Sequence, residues 1–100
     1  MLFTLAWYDD SGSLRSVELS PAGPVLVGRG LACAIRIADP TAARMNARFV
    51  LVDGQCWVED ITSPTGTFVN GARVTRQRLA HGDVVRCASL QIRVRASGAG

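Results

Sequence analysis

The sequence predicts an all-β sandwich or barrel. Three observations carry this. Short runs of strand formers recur along the chain, separated by clusters of Gly, Pro, Asn, Asp and Ser. Two of the separators, Asp53-Gly54 and Asn70-Gly71, are the dipeptides that tight hairpin turns favour. Long apolar periodicity at helical spacing is missing. The one helix-like stretch, Pro40 to Arg48, is too short and loop-like to support a helix.

The elements follow in chain order. Leu2–Trp7 and Leu14–Leu19 flank the turn cluster Asp9-Asp10-Ser11-Gly12-Ser13 and form a hairpin. Pro21-Ala22-Gly23-Pro24 breaks the chain, and Val25-Leu26-Val27 follows as a short buried strand ending at Gly28-Arg29-Gly30. Ala34–Ile37 is the next strand, and Asp39-Pro40 opens a loop. Ala47–Val52 and Cys56–Asp60 pair across Asp53-Gly54, and Thr67–Val69 pairs with Arg73-Val74 across Asn70-Gly71. Asp83–Cys87 and Leu90–Val94 make the last pair. The residues from 96 to 100, Ala-Ser-Gly-Ala-Gly, look like a frayed tail or the start of a linker. Trp7 and Trp57 sit within apolar strand patterns and are expected in the core.

The chain has 100 residues, which fits one domain spanning 1–95. At 48% hydrophobic and 19% charged it is not composed like a disordered segment. No apolar run approaches the ~18–20 residues of a membrane span. The N-terminus has no basic leader, so a cytoplasmic location is expected. Net charge is +3 and every cation is arginine. Arginine forks phosphate and carboxylate through paired hydrogen bonds, although genome composition accounts for lysine-free usage equally well. The arginines are scattered, which argues against nucleic-acid binding; a nucleic-acid-binding barrel would also need stacking aromatics on one face. Cys33, Cys56 and Cys87 lie 23 and 31 residues apart with a single histidine, His81. That spacing suits neither a zinc site nor a disulfide framework, so buried, reduced thiols are expected and no metal or cofactor.

Nothing supports catalysis. One histidine in a Gly-Asp turn has no nucleophile arranged with it, and Glu59 and Asp60 point to opposite faces of a strand. Function therefore falls to three loops that combine glycine with groups able to bind an anion or a peptide: Gly28-Arg29-Gly30, Thr41–Asn46 and Ser63–Gly71. If they share one end of the sandwich, Arg29 and Arg44 converge on one anion.

In their order and spacing these pieces resemble the forkhead-associated (FHA) domain family. Val25-Leu26-Val27-Gly28-Arg29 resembles its strand ending in Gly-Arg, and Ala43-Arg44-Met45-Asn46-Ala47 stands where the family has Ser-Arg-x-His-Ala. Trp57–Ile61 resembles the strand before the recognition loop. Ser63–Gly71 resembles Ser-x-Asn-Gly-Thr-x-Val-Asn-Gly, and Leu79–Val85 resembles the Leu-x-x-Gly-Asp stretch. The resemblance covers roughly residues 24 to 94. It implies a β-sandwich of about eleven short strands and a non-enzymatic module that reads phosphothreonine written on partner proteins by a Ser/Thr kinase. It implies phosphopeptide contacts at Arg29, Arg44, Thr65, Asn70, Ala43 and Ser63, with loop support from Gly28, Asn46, Gly66 and Thr67. No role with nucleic acid or membrane is implied.

Three positions depart from the family pattern. Ala43 lacks the serine hydroxyl that bonds phosphate, Asn46 replaces the buttressing histidine, and Thr65 replaces the asparagine that clamps peptide backbone. Losing one charged and one neutral hydrogen bond costs roughly 2–4.5 kcal/mol, against some −8 kcal/mol for a micromolar peptide module. Two readings therefore stay open: weakened phosphothreonine recognition, or docking of an unphosphorylated protein partner. Arg29 serves either phosphate or an internal ion pair, and Arg44 either an acidic partner or solvent.

Overall fold

A computed structural model of the chain describes residues 1–61 and 63–98. It contains eleven strands in two sheets and no helix among the described residues. The strands are β1 (Leu2–Tyr8), β2 (Leu14–Glu18), β3 (Val25–Gly28), β4 (Ile35–Arg36), β5 (Ala47–Val52), β6 (Gln55–Asp60), β7 (Thr67–Val69), β8 (Ala72–Val74), β9 (Arg76–Leu79), β10 (Val84–Cys87) and β11 (Leu90–Ser97). One sheet has six strands in the order β2-β1-β11-β10-β7-β8, the other five in the order β4-β3-β5-β6-β9. Every pairing is antiparallel except the short β3–β4 pair.

Alternation along the strands builds the core between the sheets. Phe3, Leu5 and Trp7 of β1 and Ile92 and Val94 of β11 face Val25, Val27, Phe49, Cys56 and Val58 of the other sheet. The expected hairpin dipeptides do close the turns. Asp53 and Gly54 have φ of 51° and 74°, and Asn70 and Gly71 have φ of 49° and 87°. Positive φ at both central residues matches the right-handed twist of the flanking strands. All three cysteines are buried and free. Burial pushes the Cys56 and Cys87 thiols up to about 12 and raises Cys33 as well. No helix among the described residues is long and apolar enough to cross a membrane.

Four local expectations need correction. β9 (Arg76–Leu79) was not anticipated, because Arg-Gln-Arg-Leu has no apolar alternation. It exists as an edge strand because β6 offers it a partner from Cys56 to Glu59. The Ala34–Ile37 strand shrinks to Ile35–Arg36. Trp57 is not core: Cys56 and Val58 face inward, so Trp57 points out, where Arg76 covers its ring at 3.9 Å. The tail starts later than residue 96, since β11 pairs Ala96 with Phe3 and Ser97 with Leu2. Residues 99 and 100 of that tail lie outside the described residues.

Candidate functional site

The loops after β3, before β5 and between β6 and β7 meet at one end of the sandwich. β3 delivers the first. Its last residue, Gly28, lies so close to the 43–44 backbone that a Cβ there would collide with the Arg44 carbonyl. Beyond it the two loops zip together: Arg29 N–H donates to Ala43 O at 3.0 Å, and Gly30 N–H to Arg44 O at 2.9 Å. Asn46 N–H donates to Val27 O at 2.7 Å and carries the chain into β5.

Asn46 joins the third loop. It is fully buried, and its amide makes four hydrogen bonds. Its Nδ2 donates to Gly66 O and to Thr67 Oγ1, both at 3.2 Å. Its Oδ1 accepts from the Ser63 and Thr65 hydroxyls, both at 3.1 Å. These use the full capacity of an asparagine side chain. Thr67 donates onward to Asp60 Oδ1 at 2.8 Å, Ser63 N–H donates to Asp60 Oδ2 at 3.2 Å, and Gly66 N–H donates to Ser63 Oγ at 3.1 Å. Asn46, Ser63 and Thr67 are the buried polar residues among those described, and all three lie under this loop cluster. No buried side-chain polar atom among the described residues lacks a partner. The interior beneath the loops is thus a closed polar network that fixes their shape.

The outward groups are cationic. Arg29 is exposed; its Nε donates to Ala42 O at 2.9 Å, which orients the guanidinium and leaves its terminal nitrogens without a hydrogen-bond partner among the described residues. Arg36 Nε donates to Arg29 O at 3.3 Å, and the two arginines line a cavity of about 360 Å³ with Asp10, Ile37 and Ala38. Arg44 is exposed alongside. None of the three lies in an ion pair among the described residues. The segment before Ala42 is tied down by Asp39, which accepts from Thr41 N–H at 2.9 Å and Thr41 Oγ1 at 2.7 Å. The Thr41 hydroxyl and then its backbone N–H hold the Asp39 carboxyl below the usual carboxylate range.

Of the residues singled out in the sequence, Gly28, Arg29, Ala43, Arg44, Asn46, Ser63, Thr65, Gly66 and Thr67 come together here. Ser63 and Thr65 turn their hydroxyls inward. Asn70 does not join them. It closes the far end of β7, about 10 Å along the strand from Thr67. There its Nδ2 donates to Asp83 Oδ1 and its Oδ1 accepts from Val84 N–H, both at 3.0 Å. Three neighbours escaped sequence reasoning. Arg36 stands in a two-residue strand without a motif. Asp60 follows the unremarkable Trp-Val-Glu, although Asp at i with Ser at i+3 is a known local turn signal. Arg73, from β8, reaches back to Ser63 O at 3.5 Å and lies against Gly66, a return that only the hairpin pairing brings about.

Two packed sheets, with the loops after β3, before β5 and between β6 and β7 gathered at one end, define a β-sandwich of the interaction-module class. The chain belongs to the FHA domain family, whose model matches residues 25–88. It is similar to the FHA domain-containing protein FhaA of Mycobacterium tuberculosis, with 37% identity over 87 residues, 86% of this chain and 16% of FhaA. It is also similar to the ABC transporter ATP-binding/permease protein Rv1747 of the same organism, with 39% identity over 72% of this chain and 8% of that protein. The chain therefore spans under a fifth of the length of these relatives. Among solved structures, one from a study of phosphothreonine-dependent FHA domain interactions has a TM-score of 0.86 at 31% identity, covering 99% of this chain and 100% of that one. The FhaA FHA domain complexed with the intracellular domain of Rv3910 has a TM-score of 0.81 at 33% identity, covering 93% and 99%.

Proposed function

We propose that this chain recognises a phosphothreonine-containing segment of a partner protein with the loops 28–30, 42–46 and 63–67. The observation that carries this is Arg29: oriented by Ala42 O, unpaired with any carboxylate among the described residues, and flanked by Arg36 and Arg44. A phosphothreonine carries about −1.5 to −2 charges and three acceptor oxygens. The two terminal nitrogens of Arg29, without partners among the described residues, suit it as a fork, and Arg44 and Arg36 add positive charge around it. The polar network under the loops supplies rigidity, so little ordering entropy is lost on binding.

Phosphothreonine dependence in one structural relative and a protein-domain partner in another point the same way. The module's role is then association, with a Ser/Thr kinase writing the mark and no chemistry of its own. Ala43 supplies no side-chain donor and Thr65 spends its hydroxyl inward on Asn46, so the peptide is held chiefly by arginine.

Calorimetric titration with a phosphothreonine peptide and its unphosphorylated twin tests the proposal. The phosphorylated form is expected to bind and the twin not, and Arg29→Ala to abolish binding. That substitution removes one side-chain bond, so stability should change by about 1 kcal/mol or less. Equal binding of both peptides overturns the proposal in favour of phosphorylation-independent docking.

A further inference from the structure

The outward face of the six-stranded sheet is a second charged surface; Arg73, on β8 at its edge, is the arginine of this face that also reaches the 63–67 loop. Strand register places Arg73 beside Phe68, Phe68 beside Arg86, and Arg86 beside Gln91; Arg93 lies between Val84 and Ala6, and Arg95 beside Thr4. Glu18, paired with Thr4, is the acidic residue on this face. Four arginines against one glutamate give a local charge of +3, equal to that of the entire chain, so the rest of the molecule sums to zero. None of these arginines forms an ion pair among the described residues. Arg86 is laid flat, 4.2 Å over the Phe68 ring, with Nη1 donating to Ala88 O at 3.2 Å.

The same face holds a trough. Ala6 is the small residue in the middle of β1, buried at 7% exposure yet outside the core cluster, so larger neighbours on the outer face wall it in. The cavity above it, about 290 Å³, is lined by Tyr8, Leu14, Gln91, Arg93 and Arg95. Tyr8 and Leu14, partners across β1 and β2, are 63% and 60% exposed. An apolar wall thus stands at one end of the trough and two unpaired guanidinium groups at the other.

We infer that this trough docks an extended acidic segment of a partner protein, of the pattern acid-x-acid-x-apolar. Arg93 and Arg95 project from the same face of one strand, about 7 Å apart, which is the spacing of same-side residues in an extended peptide. Carboxylates at i and i+2 meet the two arginines, and an apolar side chain at i+4 settles beside Tyr8 and Leu14. A lipid bilayer fits the geometry less well, because the trough admits one side chain and presents no broad apolar rim. Single-stranded nucleic acid fits less well, because Arg86 already covers Phe68 and Tyr8 alone offers one ring where successive bases need several.

The test is an NMR titration of the protein with the peptide Glu-Ala-Glu-Ala-Leu and its Gln-Ala-Gln-Ala-Leu counterpart. The acidic peptide is expected to shift amides of β1 and β11, and the neutral one not. Arg93→Gln/Arg95→Gln should weaken binding at least tenfold, while Arg29→Ala leaves it unchanged, which separates this surface from the phosphothreonine loops. Both arginines are exposed, so the double variant should fold; its unperturbed spectrum checks this. Equal binding by the double variant, or shifts centred on the 28–30 and 42–46 loops, overturns the inference. So does binding to phosphatidylglycerol vesicles that depends on Arg93 and Arg95 while the peptide produces no shifts.

Discussion

Asn46 Oδ1 accepts hydrogen bonds from the Thr65 and Ser63 hydroxyls at 3.1 Å each, so a single buried amide oxygen holds the recognition loop against the loop before β5. The Thr65 hydroxyl is therefore committed to the interior.

Asn46→Ala should be strongly destabilising. It removes the Asn46 donor from Thr67 Oγ1 and Gly66 O and the shared acceptor from the Ser63 and Thr65 hydroxyls, leaving Thr67 its bond to Asp60 and Ser63 its bonds to Gly66 N–H and Thr65. Removing one side of a buried network costs about 2–4 kcal/mol. At about 4–8 °C per kcal/mol for a domain of this size, the unfolding midpoint should fall by roughly 10–30 °C in a thermal scan. A shift under about 4 °C shows that water replaces the amide without loss.

Gly28→Ala should damage both stability and binding. Its backbone is not strained, so the effect comes from contact alone: a new Cβ drives into the Arg44 carbonyl and pushes the 43–44 strip off Arg29. Overpacking of this kind costs about 1–3 kcal/mol. Gly54→Ala makes a contrast, with open space but positive φ. Urea unfolding and phosphopeptide titration of the two variants should differ, with binding lost in Gly28→Ala and kept in Gly54→Ala.

Ala43→Ser should strengthen phosphopeptide binding. Ala43 lies beside Arg29 in the zipped backbone, and a hydroxyl there adds one bond to a charged group, about 1.5–3 kcal/mol or roughly 10- to 150-fold. With Thr65→Asn added, the gain should reach roughly 2–4 kcal/mol, short of full additivity because both act on one peptide. Calorimetry with the same phosphopeptide measures this. An unchanged affinity in both variants means that the arginines and loop backbone already make the phosphate contacts.

The cysteines predict alkaline instability. Burial raises Cys56 and Cys87 to about 12, while an unfolded thiol titrates near 8.5. A raised folded value means the fold holds its proton more tightly. The contribution is thus complete below pH of about 8.5 and lost as pH climbs toward 12. With no lysine and one tyrosine in the chain, few other side chains obscure this range. The urea midpoint should decline from pH 8.5 upward, and iodoacetamide at pH 8 should label Cys56 and Cys87 only after unfolding. Rapid labelling of both in the native protein would contradict their burial.

Much of the fold was legible because the signals were local. Asp53-Gly54 and Asn70-Gly71 encode their turns in two residues, and runs of strand formers mark β1, β5 and β6 while alternation marks β2. β9 was not legible, since Arg76–Leu79 becomes a strand only through the edge of β6. Trp57 was misplaced because an aromatic residue in an apolar run reads as core until parity with Cys56 and Val58 is fixed. At the site, motif order located the loops but not the use of their hydroxyls. Thr65 and Ser63 turn inward because a buried asparagine awaits them, a fact of packing 17 and 19 residues away in sequence. Asn70 is spent on Asp83 and Val84 for the same kind of reason.

The pairing of Leu2 with Ser97 has a mechanical consequence. β1 and β11 are antiparallel neighbours, so both ends of the described chain leave from the same end of one seam. Tension applied through flanking segments pulls across that seam and opens its hydrogen bonds one after another, as a zipper parts, instead of shearing them together. The sandwich should therefore yield at low force, starting at Leu2 and Ser97. The loops that carry Arg29 and Arg44 hang from β3 and β5 in the other sheet and are no part of the seam that opens first.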